Sequence, residues 1–500
     1  MDFPQTILNY ANVSDLAGLS SYAREDWLQL REEHAKAARY FSGDIFRERV
    51  EVEVGDDDTP LLYPVGVNLV KLLVMAMTDA TFGEFDGSDP VLFIARNNAN
   101  VTNEIRNTLD YLSSVMSSSN SGSTFWELDF DRNLYGGAVM KVTTDFSSKA
   151  KIRWQKIPID GFYPVFDPEN PEELVECYYA IQMTEDQAKQ SYGITPNSQI
   201  VVKIEHWTRS VYETFVDGVK VSEFSGINPW GVVPFIYIPR VRTLDLYGDG
   251  LAKDIYSPQD ELNMRLADIG DTLNYHSHPI FYGINLPKAF TTKNFPIVAN
   301  ALWDLGRSFG TGGAEPKVDV LQSKTPVPPA AFEHIKFIYD WTRTAASAPP
   351  IAFGEDNGGG QRSGTTLEIR LWPLLKSVRR SRSYFSAGLM KAISITAKIL
   401  EQKKFSDIPS YIHKTLSSGI IEPSYHRILP KDQPAIVDEI VKLMSTEPPS
   451  ISLETAQEVL GRGSSEVARI VRMMEEHPDW FMKQAVGALP KEPNADNLPD

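Results

Sequence analysis

The sequence predicts an α+β subunit with an antiparallel β region in its middle and helices before and after it. Three observations carry this. Residues 124–240 hold short β-branched and aromatic runs, and Asp217-Gly218 between two of them is a hairpin signal, because a type I′ turn needs positive φ at both central positions. Beyond residue 248 the apolar spacing becomes helical, and two helices of similar length flank about fifty residues rich in Pro, Gly and Asn. That arrangement is an antiparallel helical hairpin with a small insertion at its tip. Finally, a glycine-rich stretch at 354–364 leads into one long helical pattern that reaches about residue 404.

Composition limits what such a chain can do. It has 500 residues, 42% hydrophobic and 23% charged, which suits a folded protein and is too apolar for a disordered one. Forty-nine basic against 66 acidic residues leave a net charge of −17. Such a surface repels nucleic acid at most points, which argues against a protein that coats DNA. A single cysteine, Cys177, excludes an intramolecular disulfide and a multi-cysteine zinc site. The first residues lack the basic start and apolar run of a signal peptide. The most apolar stretch, 65–80, is broken by Asn68, Lys71 and Asp79 and is shorter than the roughly 20 residues that span a bilayer. A buried helix is expected there, in a soluble intracellular chain without membrane contact.

The elements follow in order. Residues 20–40 read as an amphipathic helix, with Trp27, Leu30, Ala37 and Ala38 on one face. After the 65–80 helix come a strand at 91–95 and a helix at 102–116 with Ile105, Leu109, Leu112 and Met116 on one side. The serine-rich run 117–123 reads as a flexible break. Strands are expected at 136–142, 152–157, 175–183, 201–208, 211–216 and 235–238. Ser257-Pro258 reads as a helix start, with Ser257 as cap. Leu262, Leu266, Ile269 and Leu273 then give an apolar seam, while Asp260, Glu261, Asp268 and Asp271 face one basic residue, Arg265. The second hairpin helix is expected at 330–346, with Phe332, Ile335, Ile338 and Trp341 or Thr342 on one face. Thr365 and Glu368 offer a capping box for the long helix, and Pro373 should kink it. A β-like piece near 420–429 and helices near 435–444, 453–460 and 466–475 complete the chain, with a disordered tail from 489.

No catalytic constellation emerges. Gly306-Arg307-Ser308-Phe309-Gly310 matches a nucleophile elbow, but Thr311-Gly312-Gly313 cannot start the helix the elbow requires. The glycines of 354–364 lack a Gly-Lys-Ser/Thr ending, so a phosphate cradle is not supported. His276 and His278 have no second pair of ligands nearby in sequence. Neither catalysis nor a metal or other cofactor is expected. Residues 362–404 carry ten basic and two acidic residues, a net +8 that leaves −25 for the rest. Arg370, Lys376, Arg379, Arg380 and Arg382 form a dense basic run on this helix, and residues 1–60 hold 13 acids against six basic residues. Pairing between these regions, within or between subunits, is expected over contact with DNA, since Leu367, Leu371, Leu374, Leu375, Val378 and Leu389 demand a packed location.

The order of these parts resembles the portal proteins of tailed bacteriophages, the head-to-tail connectors. Asn68–Val74 with Phe82-Gly83, Leu134-Tyr135-Gly136-Gly137-Ala138, the run Asn228-Pro229-Trp230-Gly231 to Pro234, and Tyr247-Gly248-Asp249-Gly250 are each similar to a family segment. So are the helix start from Ser363 to Leu371 and Ile451-Ser452-Leu453-Glu454-Thr455 with 466–476. The shared order covers roughly residues 60–480.

The resemblance implies a non-enzymatic ring, usually a dodecamer, at one capsid vertex of the virion, assembled in the host cytoplasm. Its channel carries double-stranded viral DNA during packaging and ejection without sequence preference. The implied partners are the terminase large subunit, the major capsid and scaffolding proteins, and a head-completion or adaptor protein at the clip. By the same resemblance 1–247 and 365–430 form a mixed α/β wing, 248–276 and 329–349 the two stem helices, and 277–328 a small α/β clip. Residues 350–364 become the tunnel loop, 431–488 a helical crown and 489–500 the tail. Glu355, Asp356, Asn357, Gly358, Gly359, Gly360, Gln361 and Arg362 would then project toward DNA. The alternative is a soluble intracellular enzyme or adaptor with an unrecognised site.

Overall fold

The computed structural model describes residues 21–44, 66–83, 89–96, 102–195, 200–243, 246–277, 280–285, 302–304, 317–321, 327–355, 364–428 and 440–443. The chain divides into two units, 1–428 and 429–500. In the second, residues 440–443 are helical, within the helix expected at 435–444. The two helices expected after it, the tail and the 306–310 motif lie outside the described residues.

Helix α1 (Ser21–Ser42) buries His34, Ala37 and Tyr40, a stripe at every third position. Helix α2 (Leu69–Phe82) is capped by Asn68. The Asn68 Oδ1 accepts from the Lys71 N–H at 2.8 Å, and its Nδ2 donates to the Tyr40 and Phe41 carbonyls. One side chain therefore starts α2 and fastens it to the end of α1. Strand β1 (Val91–Ala95) and helix α3 (Asn103–Ser118), capped by Thr102, stand where their patterns place them.

The serine run after α3 is not a flexible break. Helix α3 continues to Ser118, and helix α4 (Ser121–Tyr135) starts after two residues, with Asn120 in the left-handed region at φ 49°. The serines hold this tight turn by bonding to backbone. The Ser119 hydroxyl donates to the Val115 carbonyl at 2.6 Å and accepts from the Trp154 N–H at 2.9 Å. Helix α4 itself escapes sequence reading because its buried side includes Asp129, Asp131, Arg132 and Asn133. A polar buried stripe leaves no apolar periodicity to detect.

The β region is antiparallel throughout. Strands β2 (Gly137–Thr144), β3 (Ile152–Ile157), β4 (Phe162–Phe166) and β5 (Leu174–Thr184) lead to a short helix, α5 (Glu185–Tyr192), closed by a Thr184–Gln187 capping box. Strands β6 (Ile200–Thr208), β7 (Val211–Val216), β8 (Val219–Lys220), β9 (Gly226–Ile227) and β10 (Phe235–Pro239) complete it. One sheet has the order β10-β2-β3 and the other β4-β5-β6-β7-β8, with β9 also on β7. The β7–β8 turn has φ of 51° at Asp217 and 76° at Gly218, as the hairpin signal requires.

Helix α6 (Leu251–Ser277) is longer than expected. Ser257 is not its cap: the helix begins six residues earlier and Pro258 lies inside it. Packing of Leu251, Ala252 and Ile255 in the interior outweighs the one backbone bond that Pro258 cannot donate. Strands β11 (Ile280–Ile284), β12 (Leu302–Asp304) and β13 (Lys317–Leu321) form a mixed sheet in the order β12-β11-β13. Helix α7 (Pro329–Ala345) returns along α6. Helix α8 (Gly364–Lys403) includes Thr365 and Pro373, so Thr365 sits in its first turn instead of capping it. Helix α9 (Ser410–Ser417) and strand β14 (Ile421–Tyr425), which pairs with β1, are the last elements described in the first unit.

The main core lies between the β10-β2-β3 sheet and helices α3, α4 and α8, around Trp154, Phe125 and Phe385. Strand alternation assigns Ala138, Met140 and Val142 to this side and Val139 to a second core shared with Phe162, Tyr179 and Trp207.

Candidate functional site on the helical hairpin and the basic helix

The hairpin rises from a joint made almost entirely of backbone. Gly136 and Gly248 face each other with φ of 95° and 94°, and a Cβ on Gly248 would stand 2.5 Å from the Gly136 carbonyl oxygen. A Cβ on Gly250 would stand 2.6 Å from the Leu134 carbonyl oxygen. The two segments are over a hundred residues apart in sequence. Gly136 and Gly248 are each needed twice over, for the left-handed backbone and for the missing side chain, and Gly250 for the missing side chain alone. Two turns into α6, the buried Gln259 accepts from the Leu69 N–H at 2.6 Å and donates to the Val67 carbonyl. Asn263 accepts from the Val67 N–H at 3.0 Å. The first half of α6 is thereby bonded to the start of α2.

The four acids predicted as one face separate into two roles. Asp260 accepts from the Tyr40 hydroxyl at 2.9 Å and so points toward α1. Glu261 and Asp268 share Arg265, at 2.8 Å each. Glu261 also meets His334 of α7 at 3.3 Å, a link across the hairpin. These hydrogen bonds hold the Glu261 carboxyl below the ordinary carboxylate range. The Asp271 side chain lies outside the described residues.

On α7 the buried positions are Ile338, Thr342 and Arg343. Of the two residues considered for the inner face, Thr342 takes it, while Trp341 is 51% exposed and Phe332 55%. Phe337 is exposed too, as are Met264 and Leu273 on α6. The expected seam along α6 thus fades toward the tip, with Leu262 buried and Leu273 half exposed. Arg343 donates to Asp340 at 2.6 Å and to Glu355 at 2.9 Å. Glu355, the first of the eight predicted loop residues, is therefore tied back to the hairpin. Asp356, Asn357, Gly358, Gly359, Gly360, Gln361 and Arg362 lie outside the described residues.

The basic run on α8 also divides. Arg382 is held inside its own chain: its Nε donates to the Thr81 carbonyl at 2.6 Å and its guanidinium lies over the Tyr425 ring. Burial lowers its pKa to about 10. It is therefore a bolt between α8, α2 and β14, not a surface contact. Arg370, Lys376, Arg379 and Arg380 are exposed. Lys376 and Arg379 both lie over the ring of Trp372, at 5.3 and 5.6 Å. Leu371, Leu374, Leu375, Val378 and Leu389 are buried on the other side, as their spacing requires.

One cluster had no sequence signal. Arg132, fully buried, pairs with Asp129 and donates to the Pro239 carbonyl at 3.2 Å and the Ser381 carbonyl at 2.8 Å. Asn133 bridges Asp129 at 2.9 Å and Thr78 at 3.1 Å and accepts from Arg240 at 3.1 Å. Burial pushes the Asp129 carboxyl up while Arg132 pulls it back down. The cluster joins α2, α4, β10 and α8 through groups that each need a partner. Among the described residues no trio of His, Cys, Asp or Glu could hold a metal ion, and no helix is long and apolar enough to cross a membrane.

Comparison with individual curated proteins finds no match. A family-wide sequence model described as phage portal protein, SPP1 Gp6-like, matches residues 27–476. That span includes the hairpin, its inserted sheet, the glycine joint and the basic helix, and by it the chain belongs to the phage portal protein family.

Proposed function

We propose that this chain is one subunit of the ring channel at a capsid vertex through which viral DNA is packaged and later ejected. Family membership supports a structural, non-enzymatic role in a ring of identical copies. The observation that carries the finer reading is the α6–α7 hairpin with the β12-β11-β13 sheet inserted between its helices. In this reading the hairpin is the stem, the inserted sheet belongs to the clip that seats a head-completion protein, and residues 1–247 and 365–430 are the wing. Residues 431–488 are the crown. The terminase motor docks on the ring, and the ring nucleates assembly of the capsid from its major and scaffolding proteins.

A DNA channel works best when it does not hold its cargo, since each phosphate contact adds a salt-dependent trap. Glu261, Asp268 and Asp271 on α6 suit a wall that repels, although Arg265 already offsets part of that charge. The loop 354–364, with Gln361 and Arg362 beside its glycines, touches the passing duplex transiently. Electron microscopy of the purified protein tests the reading. Rings with a central hole, usually twelve-fold, are expected; compact monomers with a substrate pocket would return the enzyme or adaptor alternative. Deleting Gly358–Gly360 should leave rings intact and reduce packaging or DNA retention, and normal packaging with normal retention would remove the loop from the mechanism.

A further inference from the structure

A broad groove of about 1440 Å³ lies between α1, strand β4 and the entry to α6. Five carboxylates, Glu32, Glu33, Asp167, Asp249 and Asp254, line it against one lysine, Lys253. Its floor includes Tyr135 and the buried His34, whose pKa burial and the neighbouring Arg31 lower to about 4. His34 therefore adds no charge beneath the groove, and Arg240 offsets only Asp249 and Asp254 from below. Among the described residues no ion pair engages Glu32 or Glu33.

The complement is on the same chain but elsewhere. Lys376, Arg379 and Arg380 are exposed on α8, and the first two lie over the ring of Trp372, which is itself 46% exposed. No carboxylate of the described chain pairs with these three cations, and none of them lines the groove. A dense cationic patch with a half-exposed indole is an anchor of the kind enriched at protein interfaces. Two different, complementary patches on one subunit are what a head-to-tail interface requires, and such an interface makes a ring when its rotation closes.

We propose that the acidic groove of one copy receives the Trp372–Arg380 face of α8 from the next copy. The inference rests on the ring reading above and names the surfaces that make it. Lys376, Arg379 and Arg380 enter the carboxylate rim, and Trp372 fills the space above Tyr135. The groove then discriminates by charge: an acidic or neutral helix face would give Glu32 and Glu33 no cation.

The full-length protein tests this by size-exclusion chromatography with light scattering at near-physiological salt. The wild type should run as a ring; if it runs as a monomer at all concentrations, the ring reading and this interface fall together. R379E/R380E and E32K/E33K should each keep the wild-type melting temperature but need at least tenfold more protein to form rings. Combining all four substitutions in one chain should restore rings. Mixing the two double variants should also restore rings, now of alternating copies, because the acidic groove of one accepts the basic face of the other and the reversed groove accepts the reversed face. If the wild type forms rings and each reversal leaves them unchanged, or the four-fold variant does not recover, the groove is not the docking site while the ring reading stands. A second measurement avoids any effect on folding. E33C/R380C, oxidised, should give a ladder of linked chains that neither single variant gives, since Cys177 is fully buried and its thiol is held protonated by that burial. Intact rings without a ladder also overturn the proposal.

Discussion

The junction around Arg132 and the α6–α7 hairpin are opposite kinds of structure. At the junction every charged group has its partner inside the chain, and four elements meet without help from outside. Along the hairpin Phe332, Phe337 and Trp341 are half or more exposed, together with Met264 and Leu273. Scattered apolar surface is ordinary, but five large side chains on one pair of helices form a surface built for cover. The first region is complete in a single subunit. The second becomes complete only when copies come together, if the ring reading holds.

This contrast predicts where substitutions act. The largest effect on the isolated chain should come from Arg132→Met. It leaves the Asp129 carboxylate buried without its cation, which costs about 3–5 kcal/mol. Denaturant unfolding of unassembled protein measures it. A loss under 1 kcal/mol would mean that the junction opens to water and is not the closed core described above. Next is Gly136→Ala, which combines a left-handed backbone with a collision against the Gly248 carbonyl. Strain and overpacking together should cost about 2–5 kcal/mol. Gly193→Ala is the control, since φ there is 67° but nothing lies within 4 Å. Only the strain should remain, and equal losses at both sites would show that the close approach contributes nothing.

A smaller effect depends on pH. Burial raises the Asp131 carboxyl to about 7, even though Lys156 stands 3.1 Å away and lowers it. Asp160 and Glu127 add to the rise. The native state therefore holds this proton more tightly than the unfolded chain does. The group's contribution to stability falls as pH rises from about 4 to about 7 and is level above that. Asp131→Asn should be about 2–3 kcal/mol more stabilising, relative to the wild type, near pH 8 than near pH 5. Denaturation midpoints of both proteins at the two pH values give the comparison, and a difference that does not grow with pH would place the carboxyl in water.

Sequence legibility divides along the same line. Elements with an apolar stripe were readable: α3, β1, β3, β7 and α8 fall within two residues of expectation, and α2 starts four residues later than expected. The segments that carry the resemblance were readable as well, and the structure shows why. Asn68, Gly83, Gly136, Gly248 and Gly250 shape backbone at the points where elements meet, so their residue types are fixed by geometry. Asn228 belongs with them: its side chain bonds the Thr208 and Val232 carbonyls and the Trp230 N–H. Helix α4 and the Arg132 junction were not readable, because polar residues there are buried against partners up to 249 positions away. The start of α6 was misplaced for a related reason. Ser257-Pro258 has the local chemistry of a cap, but the interior packing of the preceding turn decides the boundary. Likewise the acidic face of α6 looked uniform until Tyr40 and Arg265 took separate members of it.

The smallest effect is the one that tests the contrast most directly. Phe337→Ser and Trp341→Ser remove exposed apolar groups that touch little in the single chain. Each should change the stability of unassembled protein by no more than about 0.5 kcal/mol. Their consequence should appear in assembly, as a rise in the protein concentration needed for rings, because a buried aromatic at a subunit contact contributes far more than an exposed one. If either substitution unfolds the isolated chain as strongly as Arg132→Met, the hairpin is a finished core like the junction, and its exposed aromatics have lost their meaning as an interface. If stability and assembly are both untouched, copies meet through other surfaces, and the acidic groove with the α8 basic face becomes the contact that holds them.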